Sequence, residues 1–143
     1  MPPMSVSSLA DLLKEVPLFS ECSKKELRNL SRRAHERHVP PGQVLVHEGD
    51  AGDSFYVVVV GLAEVHRGGQ KVGVVGPGDF FGDLALLDPA PRNATVTART
   101  AMDVVVLDRA EFDAVTADSP GFVRELLVGL AHRLRGLDAR AAD

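Results

Sequence analysis

Apolar residues recur with different rhythms along the chain, and the changes of rhythm divide it into three zones. Up to about Arg33, leucines fall at helical intervals behind two polar starts, Ser8 with Asp11 and Ser23 with Glu26. A hydroxyl followed three residues later by a carboxylate is the capping-box spacing, so two helices are predicted within about 6–33. Val16-Pro17-Leu18-Phe19 separates them, and Pro17 is placed to break the first because proline cannot continue the helical hydrogen-bond ladder.

From His35 to Leu107 the pattern turns to short β-branched or aromatic runs: Val44 and Val46, Phe55–Val60, Leu62–Val65, Val72–Val75, Ala94–Ala98 and Met102–Leu107. Pro40-Pro41-Gly42, Gly49-Asp50-Ala51-Gly52-Asp53, Gly61, Gly68-Gly69 and Gly76-Pro77-Gly78-Asp79 punctuate them. Short strands at regular spacing between Gly/Pro turns predict an antiparallel sandwich or barrel. The glycine–aspartate pairs read as turns rather than as metal or catalytic carboxylates.

The third zone, about 108–140, is helical again. Asp108 with Glu111 opens a short helix, and Ser119 caps a longer one with Pro120 in its first turn, where a missing N–H does no harm. Val123, Leu127, Leu130, Leu134 and Leu137 then form a heptad seam only about two heptads long, weakened by Gly129 and Gly136. The seam reads first as a packing face.

Length makes this one domain spanning 1–143. A chain of 143 residues buries roughly 70% of its unfolded surface around a single core, so no staple is required. Hydrophobic residues at 45% and charged residues at 25% exclude wholesale disorder. A net charge of −4 speaks against non-specific nucleic-acid binding, which needs a basic surface. Met1–Ser8 lacks the pattern of a signal peptide, and the longest apolar run, Phe55–Val60, falls far short of the roughly 18 residues of a membrane span. Cys22 is the sole cysteine, which rules out an internal disulfide and points to a reducing cytoplasm.

The chemistry concentrates in Gly78–Val96, GDFFGDLALLDPAPRNATV. After a strand ending at Phe80-Phe81, Gly82 permits an unusual backbone angle or a close ligand approach. Asp83-Leu84-Ala85-Leu86-Leu87 has the composition of one helical turn, whose leading N–H groups favour an anion. Arg92, stiffened by Pro89 and Pro91, can grip phosphate oxygens with two parallel hydrogen bonds. Asp83 offers an acceptor for sugar hydroxyls. Anion donors, a planar cation and a hydroxyl acceptor together suggest a sugar phosphate.

Two motifs in these stretches carry a family resemblance. Glu48-Gly49-Asp50 with Gly52-Asp53-Ser54-Phe55-Tyr56-Val57-Val58, and Phe81-Gly82-Asp83-Leu84-Ala85-Leu86-Leu87 followed by Pro91-Arg92-Asn93-Ala94-Thr95-Val96, resemble the strand–turn–strand signature and the phosphate-binding cassette of the cyclic nucleotide-binding domain. That domain is shared by bacterial catabolite-activator-type regulators and by cyclic-nucleotide-dependent kinases and channels.

The resemblance covers nearly the whole chain. It implies a mainly β fold, an antiparallel jelly roll over about 35–107 with N-terminal helices over about 6–33 and C-terminal helices over about 108–140. It also implies a non-catalytic sensor that needs no cofactor and takes cyclic AMP or cyclic GMP as ligand, cyclic AMP the more favoured. Arg92 matches the arginine that pairs with the cyclic phosphate, and Gly82, Leu84, Ala85 and Ala94 match backbone contacts around it. Thr95 matches a small hydroxyl position, and Asn93 a position that influences base choice. Asp83 stands where the family usually has glutamate bonding the ribose 2′-hydroxyl, one methylene longer.

The last helix matches a lid that covers the base, with Leu134 and Leu137 as lid residues, and that often makes a homodimer contact. Ligand binding is expected to reposition it. No output segment lies within these residues, so an effector domain or protein is the expected partner, without direct nucleic-acid or membrane contact. The alternative is a fold that has lost its ligand and serves protein interaction.

Enzyme readings find little support. His35, His38 and His47 lack the His-x-His spacing of a cupin metal site, so no metal is expected, and no Ser-centred elbow accompanies the lone Cys22.

Overall fold

The computed structural model describes residues 5–142, with side chains as far as residue 136. The chain forms two compact units, one from Ala34–Arg109 and the other from the stretches up to Arg33 and from Ala110 onward.

The first unit holds ten strands: β1 His35–Val39, β2 Val44–Val46, β3 Ala51–Gly52, β4 Ser54–Val60, β5 Ala63–Arg67, β6 Gln70–Val75, β7 Phe80–Phe81, β8 Ala90–Pro91, β9 Thr95–Ala98 and β10 Met102–Asp108. They pair antiparallel into two four-stranded sheets, ordered β1-β10-β4-β7 and β2-β9-β5-β6, with a separate two-stranded pair, β3-β8. Side chains alternate faces along a strand, so alternate positions build one core. Tyr56 and Val58 of β4 and Met102, Val104 and Val106 of β10 cluster with Ala63 of β5 and Val96 and Ala98 of β9. Each fully buried valine or methionine in this layer contributes about 1.5–3 kcal/mol. The jelly-roll expectation is met, and the Gly/Pro segments fall between strands except Gly49–Asp53, whose Ala51 and Gly52 pair with Pro91 and Ala90 as the short strand β3.

Strand β1 escaped the periodicity because its sequence is His-Glu-Arg-His-Val, with only Val39 buried. An edge strand with one neighbour can stay polar, since the ladder to β10 supplies its pairing. His38 Nδ1 lies 2.9 Å from Asp103, and His35 Nδ1 lies 3.9 Å from Asp108.

The second unit contains α1 Val6–Lys14, a 3₁₀ turn Pro17–Phe19, α2 Lys24–Arg33, α3 Arg109–Asp118 (whose first residue belongs to the strand unit) and α4 Pro120–Ala142. Phe112 packs against Phe19 at 6.5 Å and against Phe122 at 5.9 Å between ring centroids.

Three local expectations are corrected. The cap of α1 is Ser5, in extended backbone, whose hydroxyl accepts the Ser8 N–H at 3.1 Å; Ser8 is the partner and not the cap. Asp108 and Glu111 each bond a residue outside the box: Asp108 accepts from the Ser54 hydroxyl at 3.0 Å, and Glu111 meets Arg33 at 3.1 Å. The leucine seam of α4 is not its packing face. Phe122, Leu126 and Gly129 are buried, whereas Val123, Leu127 and Leu134 are exposed. Gly129 sets this orientation, since a Cβ there would lie 2.7 Å from the Leu18 carbonyl oxygen. The Leu137 side chain lies outside the described residues.

Candidate anion-binding site

The Gly78–Val96 stretch folds as the residues require. β7 pairs with β4, bringing Phe81 opposite Tyr56. Gly82 then adopts φ +85°, a left-handed angle that side chains disfavour, and turns the chain into a 3₁₀ turn, Asp83–Leu86. A Cβ on Gly82 would also stand 2.5 Å from Arg92 Nη1 and 2.6 Å from the Ser54 carbonyl oxygen. Glycine is therefore demanded twice, by the angle and by the space.

Within the turn, the Ala85 N–H donates to the Gly82 carbonyl at 3.1 Å, and Leu87 closes on Leu84 at 3.1 Å. Leu86 is buried and anchors the turn, while Leu84 and Leu87 are exposed. Asp83 is only 6% exposed, deeper than an acceptor at the mouth of the turn would sit.

The strap after the turn is stitched to the segment after β2. Ala51 pairs with Pro91 and Gly52 with Ala90. The Arg92 N–H donates to Asp50 O at 2.8 Å, and Gly49 donates back to Arg92 O at 2.8 Å. With its backbone fixed on both sides, Arg92 directs a half-buried side chain inward. Its Nη2 donates to Ser54 O at 2.8 Å, and its Cζ lies 6.0 Å over the Tyr56 ring. Tyr56 in turn stacks on Phe81, with centroids 4.8 Å apart and planes 9° from parallel.

Beyond Arg92 the strap runs into β9. Ala94 is buried, and the Thr95 hydroxyl accepts the Glu48 N–H at 2.9 Å. Asn93 is exposed, and its carbonyl takes a hydrogen bond from Arg67 Nε at 3.0 Å. The Glu48 carboxylate accepts the Gly68 N–H at 2.9 Å. Arg67 and Glu48 thus tie the β5–β6 hairpin, the segment after β2 and the strap together. Glu48 lies inside a recognised motif; Arg67 had no sequence signal beyond being a cation at a strand end.

Gly82, Asp83, Leu84 and Ala85 therefore fall on one turn, and Arg92, Asn93, Ala94 and Thr95 on one strap, with the arginine side chain lying against Gly82. Leu134 belongs to the helical unit and is exposed there. A rigidly mounted guanidinium beside a glycine-opened turn can bind a phosphate through paired, charge-assisted hydrogen bonds. Among the described residues, no three of His, Cys, Asp and Glu gather as a metal site would need, and no helix is long and apolar enough to cross a membrane.

Comparison with known proteins agrees with this geometry. The model of the cyclic nucleotide-binding domain family matches residues 36–119. A cAMP-dependent protein kinase regulatory subunit of Yarrowia lipolytica is 42% identical over 102 residues, covering 70% of this chain and 27% of that protein. The chain thus spans about a quarter of that relative. Among solved structures, the N-terminal domain of a transcriptional regulator from Streptomyces coelicolor superposes with a TM-score of 0.83 at 34% identity, covering 90% of this chain and 96% of that one. The regulatory domain of Toxoplasma gondii PKA with cAMP gives 0.68 at 38% identity, covering 75% and 42%. With both motifs on one scaffold and the family match spanning more than half of its length, the chain belongs to the cyclic nucleotide-binding domain family, a family of regulatory and not catalytic domains.

Proposed function

We propose that this domain is a sensor that binds a cyclic nucleotide reversibly, cyclic AMP in preference to cyclic GMP, and passes the binding event to an effector without catalysis. The observation that carries the reading is Arg92, fixed at its backbone by the Asp50 and Gly49 bonds and aimed by its side chain at the Gly82 turn. The cyclic phosphate would pair with its guanidinium, with Gly82, Leu84, Ala85 and Ala94 offering backbone contacts and Asp83 taking the ribose hydroxyl. Thr95 and Asn93 complete the strap side, Asn93 next to the base. The names of the kinase and PKA relatives support cyclic AMP as the ligand.

Binding is read as selecting one arrangement of the cassette and of α4, since a ligand shifts a conformation only by its differential affinity. Leu134 and Leu137 are the proposed lid residues, and deuterium exchange should show protection in both segments on adding ligand. The exposed Val123, Leu127 and Leu134 support a homodimer through α4. The effector is read as a further domain or a separate protein, and the compartment as cytoplasm, where the buried Cys22 stays a thiol.

Calorimetric titration with cyclic AMP and cyclic GMP, alongside Arg92→Ala, tests the reading. Loss of the charge partner should weaken binding by at least about thirtyfold. Absence of binding of either nucleotide at millimolar concentration would turn the reading to the second one, a ligand-free interaction module. The shorter Asp83 in place of glutamate is the observation that favours that second reading.

A further inference from the structure

Gly52 lies outside the cassette and reads from sequence as a turn glycine, yet its backbone does not explain it. Its φ is not among the positive-φ angles that demand glycine. Its neighbourhood does explain it. A Cβ at Gly52 would have as its three nearest atoms Nε, Cζ and Cδ of Arg92, the last two at 2.6 and 2.8 Å. No backbone atom is among the three, so the absent side chain is the space that the arginine stem fills. Gly52 is itself buried and held opposite Ala90 by the β3–β8 pair, and it cannot retreat.

From these contacts we infer that Gly52 is a positioning residue for ligand binding: it forms, with Gly82, the slot that seats the Arg92 guanidinium. The stem of Arg92 crosses bare backbone at Gly52, while Nη1 passes Gly82 and Nη2 reaches Ser54 O. An added methyl leaves the backbone in place but forces the flexible arginine out of the slot. The charge remains in the neighbourhood; its geometry is lost. A planar fork recognises phosphate through direction as well as charge, so displacement weakens the contact.

This inference rests on the reading of Arg92 as the phosphate partner, and Gly52→Ala tests it with two independent readouts. In the ligand-free protein, the arginine Nε–Hε resonance of Arg92, assigned by its absence in Arg92→Ala, should move, while thermal unfolding stays at the wild-type midpoint. In titration with cyclic AMP, Gly52→Ala should bind about tenfold more weakly or worse, the loss of a charge-assisted hydrogen bond. In the Arg92→Ala background the same substitution should change affinity no further. An unmoved resonance, an equal affinity loss in both backgrounds, or a variant that fails to fold would each overturn the assignment. Should the wild-type protein bind no cyclic nucleotide, the functional reading fails by itself, and the ligand-free resonance still decides whether Gly52 seats the arginine.

Discussion

The Arg92 guanidinium lies 6.0 Å over the ring of Tyr56, which itself stacks on Phe81 at 4.8 Å. The cation is thereby carried on an aromatic pair drawn from two hydrogen-bonded strands, β4 and β7. A delocalised, weakly hydrated guanidinium suits that surface better than an ammonium does.

Arg92→Lys should therefore fall between wild type and Arg92→Ala. Lysine keeps the charge but loses the planar fork with its two donor nitrogens side by side, for which about a tenfold loss in affinity is expected. Calorimetric titration checks this. A lysine variant that binds as well as wild type would mean that charge alone suffices and that the aromatic seat is irrelevant.

Asp83 is the buried carboxylate at the first position of the 3₁₀ turn. If it receives the ribose 2′-hydroxyl, Asp83→Ala should lose about 1.5–3 kcal/mol of binding to the ribonucleotide. The 2′-deoxy analogue should then bind wild type and variant alike. Equal losses for both nucleotides would instead assign Asp83 to shaping the turn.

Much of the candidate site was legible because its chemistry lies in one contiguous stretch: the left-handed Gly82, the short turn and Arg92 behind Pro89 and Pro91 all stand where the sequence suggests. The strands β4, β9 and β10 were legible because their buried positions are β-branched or apolar. What was missed depends on partners distant in sequence. β1 is polar because it is an edge, β3 and β8 are two residues each, and Arg67 gains its role only where the β5–β6 hairpin meets Asn93. The α4 seam misled for a related reason. A heptad of leucines marks an apolar stripe without saying which neighbour covers it, and the close approach of Leu18 at Gly129 turned the opposite stripe inward.

Two of the glycines of α4, Gly129 and Gly136, should accordingly respond in opposite ways to alanine. At Gly129 a Cβ would meet the Leu18 and Pro17 carbonyl oxygens at 2.7 and 3.0 Å, so Gly129→Ala should cost about 1–3 kcal/mol by overpacking. At Gly136 a Cβ would meet nothing within 4 Å, and Gly136→Ala should stabilise by up to about 1 kcal/mol through helix propensity. Chemical denaturation of the two variants reads both signs. A neutral Gly129→Ala would show that α4 can lift from the 3₁₀ turn without loss.

Cys22 is fully buried, and burial, reinforced by the Glu125 carboxylate, pushes its thiol from 9.0 up to about 12. The unfolded chain releases this proton near pH 9 while the folded one still holds it. The stability that Cys22 contributes is therefore complete below about pH 9 and is lost as pH rises from there toward 12. Wild type should lose stability relative to Cys22→Ala over that alkaline range in denaturation at stepped pH. The native thiol should also react slowly with a disulfide reagent at pH 8. Reaction at the rate of a free thiol would show that the site opens readily.

The exposed stripe of α4 bears on the oligomeric state. Val123 is 39% exposed, and Leu127 and Leu134 are each 61% exposed, spaced so that they share one helical face. Three large apolar side chains in a row along water are costly unless covered, and a second copy of the same stripe is self-complementary about a two-fold axis. Sedimentation of the wild-type protein should give a dimer at micromolar concentration, and Leu127→Glu with Leu134→Glu should give a folded monomer, because neither side chain belongs to the core. The placement of Phe122 and Leu126 on the buried face makes this a clean test: the paired charges remove the proposed contact and leave the packing of the helix intact. A wild-type protein that sediments as a monomer would assign the stripe to some other cover and end the homodimer reading.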